Sequence, residues 1–142
     1  MAVITDIADA VKNELNGHTF SQAFQAVRLY QPVYELADMK TLHVTVVPRA
    51  VVMEISSRTL VQHDYQIDVA VQKKFEKDSP VEIDPLMMLV EEIADFFRLR
   101  RLAGYPSAVW VKTENDPVWS PDHMEQFRQF TSVLTFTFRV LK

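Results

Sequence analysis

Cysteine is absent from the 142 residues. That removes disulfide staples, thiolate zinc sites and cysteine nucleophiles together. Glycine is scarce: Gly17 and Gly104 are the only two, too far apart to form a glycine-rich loop that wraps backbone N–H groups around a phosphate. Basic excess is missing as well. The formal net charge is -4 with 24% charged residues, which fits neither a disordered acidic tail nor a chain that grips nucleic-acid phosphates. No apolar run approaches the roughly 20 residues of a membrane span. The opening "MAVITDIADAVKNEL" carries acids early and lacks the basic start and long apolar stretch of a secretory signal. A soluble cytoplasmic protein without a membrane partner is the expectation.

What is present suits a packed core. Hydrophobic residues make up 48% of a chain the length of one ordinary domain, so a single domain over residues 1–142 is expected. Thr5 or Asp6 can cap a first helix over about residues 5–16, where Ile7, Ala8, Val11 and Leu15 recur at helical spacing and Asn16–Gly17 supplies a stop. From Phe20 the run "FQAVRLYQPVYEL" turns β-branched and aromatic, and Pro32 marks an edge or break. Leu42–Val47 reads as a strand, Pro48 as a kink, and Val51–Ile55 as a second extended stretch. A long strand, Leu60–Phe75, pairs back antiparallel around "SSRT", which puts Ser56, Ser57 and Arg58 at a hairpin tip.

"EKDSPVEIDP" is a polar linker ending in Asp84 and Pro85, an N-cap and a first helical residue. The stripe Leu86, Leu89, Val90, Ile93, Phe96 and Phe97 predicts a long helix. Glu91, Glu92 and Asp95 lie off the stripe, Arg98, Arg100 and Arg101 fall in its last turns, and Gly104 and Pro106 stop it. "AVWVKTE" predicts a short strand containing a core Trp110, and "NDPVWSPDHMEQF" a loop with a helical turn after Ser120. "FTSVLTFTFRVLK" predicts a closing strand. There Phe130, Ser132, Leu134, Phe136, Phe138 and Val140 share the core side, and Thr131, Val133, Thr135, Thr137, Arg139 and Leu141 the other. Leu89, Ile93, Phe96, Phe97, Phe136 and Phe138 are the candidate core. The fold class is α+β: a largely antiparallel, mixed sheet with a long helix from the C-terminal half and a shorter N-terminal helix on one face.

Chemistry is harder to find. His18, His43, His63 and His123 have no metal-site spacing. Adjacent His63 and Asp64 point to opposite strand faces, so no metal or other cofactor is expected. Asp64 and Asp68 lie about 13 Å apart along one strand, too far for a glycosidase acid and base pair. No nucleophile elbow exists, and the tip serines have no nearby base. The three arginines of "RLRRL" can hold phosphate or complement a helix end, and Lys73 and Lys74 can protect a sheet edge. Trp119 in "PVWSP" is equally a partner anchor or local packing.

The runs "TLHVTVVPRA", "HDYQIDVAVQKK", "LVEEIADFFRLRRLAG" and "QFTSVLTFTFRV" resemble those of tail-terminator or tail-completion proteins of tailed phages and prophages, within the head–tail joining (neck) proteins. The resemblance covers about residues 20–142 in element order and style. It implies a non-enzymatic α+β subunit that assembles as a hexameric ring, caps the tail tube and meets the head connector. The implied partners are further copies of itself, the tail tube protein and the connector or neck proteins. DNA passes through transiently without specific binding. The location implied is the tail or neck of a virion assembled in a bacterial cytoplasm. Under it, Asp64, Gln66, Asp68 and Gln72 form an acidic sheet face toward the channel or a neighbouring subunit, and Ser57, Arg58 and Trp119 are candidate assembly contacts. A head-closure or connector protein is the near alternative. A small-molecule-binding or enzymatic domain with its pocket at Asp64 and Asp68 is the remote one.

Overall fold

The computed structural model describes residues 2–30, 41–74, 80–116 and 129–142. Within them the order is α1 (Val3–Asn16), β1 (Ala26–Arg28), β2 (His43–Ile55), β3 (Val61–Lys74), α2 (Pro80–Phe97), β4 (Val109–Asn115) and β5 (Gln129–Leu141). The strands form one sheet in the order β1-β2-β3-β5-β4, antiparallel except for the parallel β1–β2 pair. Both helices lie on the same face, as one core shows: Ile7, Val11 and Leu15 of α1 and Leu86, Leu89, Ile93 and Phe97 of α2 are buried with Val44, Val46, Ile67, Val69, Phe136 and Phe138 of the sheet. Phe96 is only partly buried against that core, and Trp110 likewise, with its indole N–H donating to the Thr113 hydroxyl at 2.9 Å.

Alternation dictates β3 and β5. Tyr65, Ile67, Val69 and Val71 are buried beneath the helices, and Asp64, Gln66, Asp68 and Gln72 turn to the opposite face because successive strand residues alternate. In β5 the predicted core side is buried, but so are Thr131, Thr135 and Thr137 on the other side.

Several boundaries differ from expectation. α1 starts at Val3, two residues early; its N-cap is Ala2, and the Thr5 hydroxyl donates to the Ala2 carbonyl at 2.7 Å instead of capping N–H groups. α2 starts at Pro80, so Pro80 takes the first helical position and Pro85 lies inside the helix. Lacking an N–H, Pro85 forfeits the bond to the Val81 carbonyl. The helix ends at Phe97, well before Gly104, because Leu99 adopts the left-handed conformation (φ 58°) and the Arg100 N–H donates to the Phe97 carbonyl at 3.1 Å. Arg98, Arg100 and Arg101 therefore follow the helix and occupy none of its turns.

Pro48 does not divide two strands. β2 runs unbroken to Ile55, with a register shift between Pro48 and Ala50 that leaves Arg49 as a bulge. A bulge is where a strand interior accepts proline. Lys73 and Lys74 are not edge protection either: β3 is interior, flanked by β2 and β5, and the sheet edges are β1 and β4. Pro32, Trp119, His123 and the turn after Ser120 lie outside the described residues.

Candidate functional site

Two surfaces stand out, and the first follows from a mismatch of lengths. A strand of 14 residues such as β3 extends about 46 Å at about 3.3 Å per residue. The 14-residue α1 covers about 21 Å and the 18-residue α2 about 27 Å at 1.5 Å per residue. The helices shield one end of their face, and the far end of β2 and β3 extends past them.

On that bare end, residues 51–60 are all exposed. The register pairs Val51 with Tyr65, Met53 with His63 and Ile55 with Val61, so these three side chains continue the apolar helix-side face. The bulge at Arg49 puts them there by shifting the alternation by one residue. Met53 is 62% and Ile55 82% exposed, with Leu60 and Val61 beside them. β1 pairs only with Val44, Thr45 and Val46, so among the described residues the outer edge of β2 beyond them is an open strand edge. The tip is closed by the Ser56 and Ser57 N–H groups donating to the Leu60 carbonyl, each at 3.1 Å, and by the Leu60 N–H donating to Ser57 Oγ at 3.2 Å. Arg58 is exposed there and makes no ion pair among the described residues. The polar tip was legible in the sequence; its apolar flanks were not, since the place of Val51, Met53 and Ile55 on the helix-side face depends on the bulge at Arg49, which only the strand pairing reveals.

The second surface is the sheet face away from the helices. Asp64, Gln66, Asp68 and Gln72 share one column of β3, but they do not make a free acidic strip. Arg139, directly opposite on β5, grips Asp64 through two bonds of 2.8 and 3.1 Å, and Gln62 Nε2 adds a third at 3.3 Å. That guanidinium hydrogen bond holds the Asp64 carboxyl below its usual value and raises Arg139 in turn. Asp68 accepts from the Thr135 hydroxyl at 2.7 Å and faces Arg49 at 3.6 Å, while Arg49 also donates to Thr135 at 3.1 Å. Lys112 pairs with Glu114 at 2.7 Å and lowers that carboxyl. Gln72 is buried to 3% exposure rather than presented outward, and Gln72 Oε1 and Thr137 Oγ1 find no partner among the described residues. The face is a ladder of paired charges.

One arginine of the cluster, Arg100, has a structural task. Arg100 reaches Glu14 of α1 at 3.1 Å and lies 3.9 Å over the Phe96 ring, while the Ala103 N–H donates to the same carboxylate at 2.9 Å. Glu14 thus ties α1 to the turn after α2. Phe96 is covered further by His18 and Phe20. On β1, Arg28 pairs with Asp9. Among the described residues no three His, Asp or Glu side chains gather as a metal site, and no helix is long and apolar enough to cross a membrane.

A third feature is a groove of about 680 Å³ between α2 and β4. Met87, Val90, Trp110 and Leu134 line it, with Asp84, Glu91, Asp95 and Arg98 also contributing.

No family model matches this chain, and no curated protein matches it. Among solved structures it is similar to the sheath/tube terminator of an extracellular contractile injection system, PVC, determined by cryo-EM in the extended state. The TM-score is 0.54 at 15% identity, covering 100% of this chain and 57% of that one. At that identity the likeness is one of fold. This chain carries a terminator-type α+β fold from end to end and spans a little over half the length of the terminator it matches.

Proposed function

We propose that this protein is a structural assembly subunit that closes the end of a tail tube as a ring, six-fold in the phage-type arrangement, and offers its other surface to a head connector or equivalent neck component. The observation that carries this is the fold match over the whole chain to a sheath/tube terminator. The apolar hairpin and open β2 edge support it, because a projecting apolar surface beside an unpaired strand edge marks a site where another chain can pack. No catalytic step is assigned. Asp64 and Asp68, the carboxylates on which an enzymatic or ligand-binding pocket would depend, are bound to Arg139 and Thr135 within the sheet.

In this reading the Asp64 face lines the channel or meets a neighbouring subunit. A surface of neutralised charges neither captures DNA phosphates nor strongly repels them, which suits passage of a genome without retention. Trp119 and the hairpin tip at Ser57 and Arg58 are the proposed assembly contacts.

Light scattering over a concentration series, with and without purified tail tubes, tests the proposal. Rings of about six subunits, or tube ends capped by the protein, are the expected result. A chain that remains monomeric and ignores tubes refutes it, and binding to connectors but not to tubes moves the assignment to a head-closure role.

A further inference from the structure

The hairpin and the α2–β4 groove carry complementary charge, and both expose apolar residues. Asp84, Met88, Glu91 and Asp95 recur at helical spacing, so they form one stripe about 16 Å long on α2. The three carboxylates are exposed and make no ion pair among the described residues, and of the cations only Arg98 lines the groove with them. Met87, Trp110 and Leu134 give the groove an apolar floor. The hairpin presents the converse: exposed Met53, Ile55 and Leu60 with the cation Arg58, which has no ion-pair partner among the described residues, at the tip. Among the described residues β4, one wall of the groove, is an edge strand, as is the outer half of β2.

These surfaces cannot meet within one molecule. Thr113 in the groove is level with Phe136 and Ile67 in the sheet, and the tip begins where Ile55 pairs with Val61. Six residues of β3 separate those levels, about 20 Å along a rigid strand. We infer that the β2–β3 hairpin of one copy docks in the α2–β4 groove of a second copy, with Arg58 against the Asp84, Glu91 and Asp95 stripe and Met53 and Ile55 over the apolar floor. The inference rests on the ring reading and deepens it. Donor and acceptor patches differ, so the contact is head-to-tail, the type that closes into rings instead of stopping at a two-fold dimer.

The absence of cysteine makes the test clean. Ile55→Cys and Met88→Cys replace side chains that are 82% and 58% exposed, so neither disturbs the core. Under oxidising conditions a 1:1 mixture of the two variants should give a mixed disulfide dimer, and the chain carrying both changes a ladder of covalent oligomers. Each single variant alone should remain uncrosslinked. Arg58→Glu in the Ile55→Cys chain should slow mixed-disulfide formation about tenfold, and pairing it with Glu91→Arg in the Met88→Cys chain should restore the rate.

Failure to form the mixed disulfide, while wild-type protein still makes rings by light scattering, overturns the hairpin–groove contact and leaves the ring intact. Rapid dimerisation of Ile55→Cys alone shows two hairpins pairing with each other and also overturns it. An unchanged rate with Arg58→Glu removes the charge match on which the docking is built. A wild-type chain that neither self-associates nor caps tubes, together with no mixed disulfide, rejects contact and ring alike.

Discussion

Asp64 and Arg139 are 75 residues apart in sequence and bonded at 2.8 Å. Sequence reading saw the carboxylate and its face, but not its partner, because a cross-strand pair exists only once the β3–β5 register is fixed. The pair predicts a pH signature. Arg139 lowers the folded-state pKa of Asp64, so its stabilising effect is complete above the unfolded value and disappears as pH falls through the folded one. Asp64→Asn should cost on the order of 1 kcal/mol at neutral pH. Urea unfolding at a series of pH values should show a constant gap from wild type down to about pH 5 that closes below about pH 4. Leu99 makes the opposite case. A left-handed, 82% exposed leucine is strained by about 1–2 kcal/mol, and glycine would relieve that at a smaller entropic cost. Leu99→Gly should therefore raise the urea midpoint, by about 0.5–1 kcal/mol in stability.

The elements were legible wherever periodicity is long and unambiguous: the two-residue alternation of β3 and β5, and the 3.6-residue stripe of α2. Their ends were not. Pro80 and Pro85 both satisfy the rule for a first helical residue, and the partly buried Ile83 adds packing that favours the earlier start. Pro85→Ala would restore the missing N–H bond inside α2, and because Pro85 is exposed it should stabilise the protein by about 1–2 kcal/mol. A higher melting temperature with an unchanged circular dichroism spectrum would confirm this. Pro48 misled in a similar way: proline reads as a break, and only the pairing on both sides of Arg49 reveals a bulge. The parallel β1 pairing gave no sequence signal, since three residues are too few to show a period. The α2–β4 groove was hidden for another reason. Its acids were visible as a solvated helix face, whereas its floor combines α2 with residues from β4 and β5.

At the scale of the molecule, one core joins both helices to the sheet. Phe136 lies at its centre, fully buried with its ring 4.8 Å from that of Phe97. Phe136→Ala should cost about 3–5 kcal/mol and lower the melting temperature by about 10–20 °C, measurable by calorimetry. The α+β architecture followed from element order alone. The resemblance of residues 20–142 to tail-terminator proteins was already legible in the runs of sequence, and comparison of coordinates supports it at the level of fold, at 15% identity. The sheet order has a kinetic consequence. β5 lies between β3 and β4, although it follows both in sequence. Until the ribosome has released residues 129–141, β4 has no neighbour to pair with and α2 no finished floor to rest on. A growing chain can close the β2–β3 hairpin locally, but the sheet then waits, half built, for the strand that joins β3 to β4. Folding on the ribosome should thus be postponed and abrupt, completed in a single step when that strand slides into the gap.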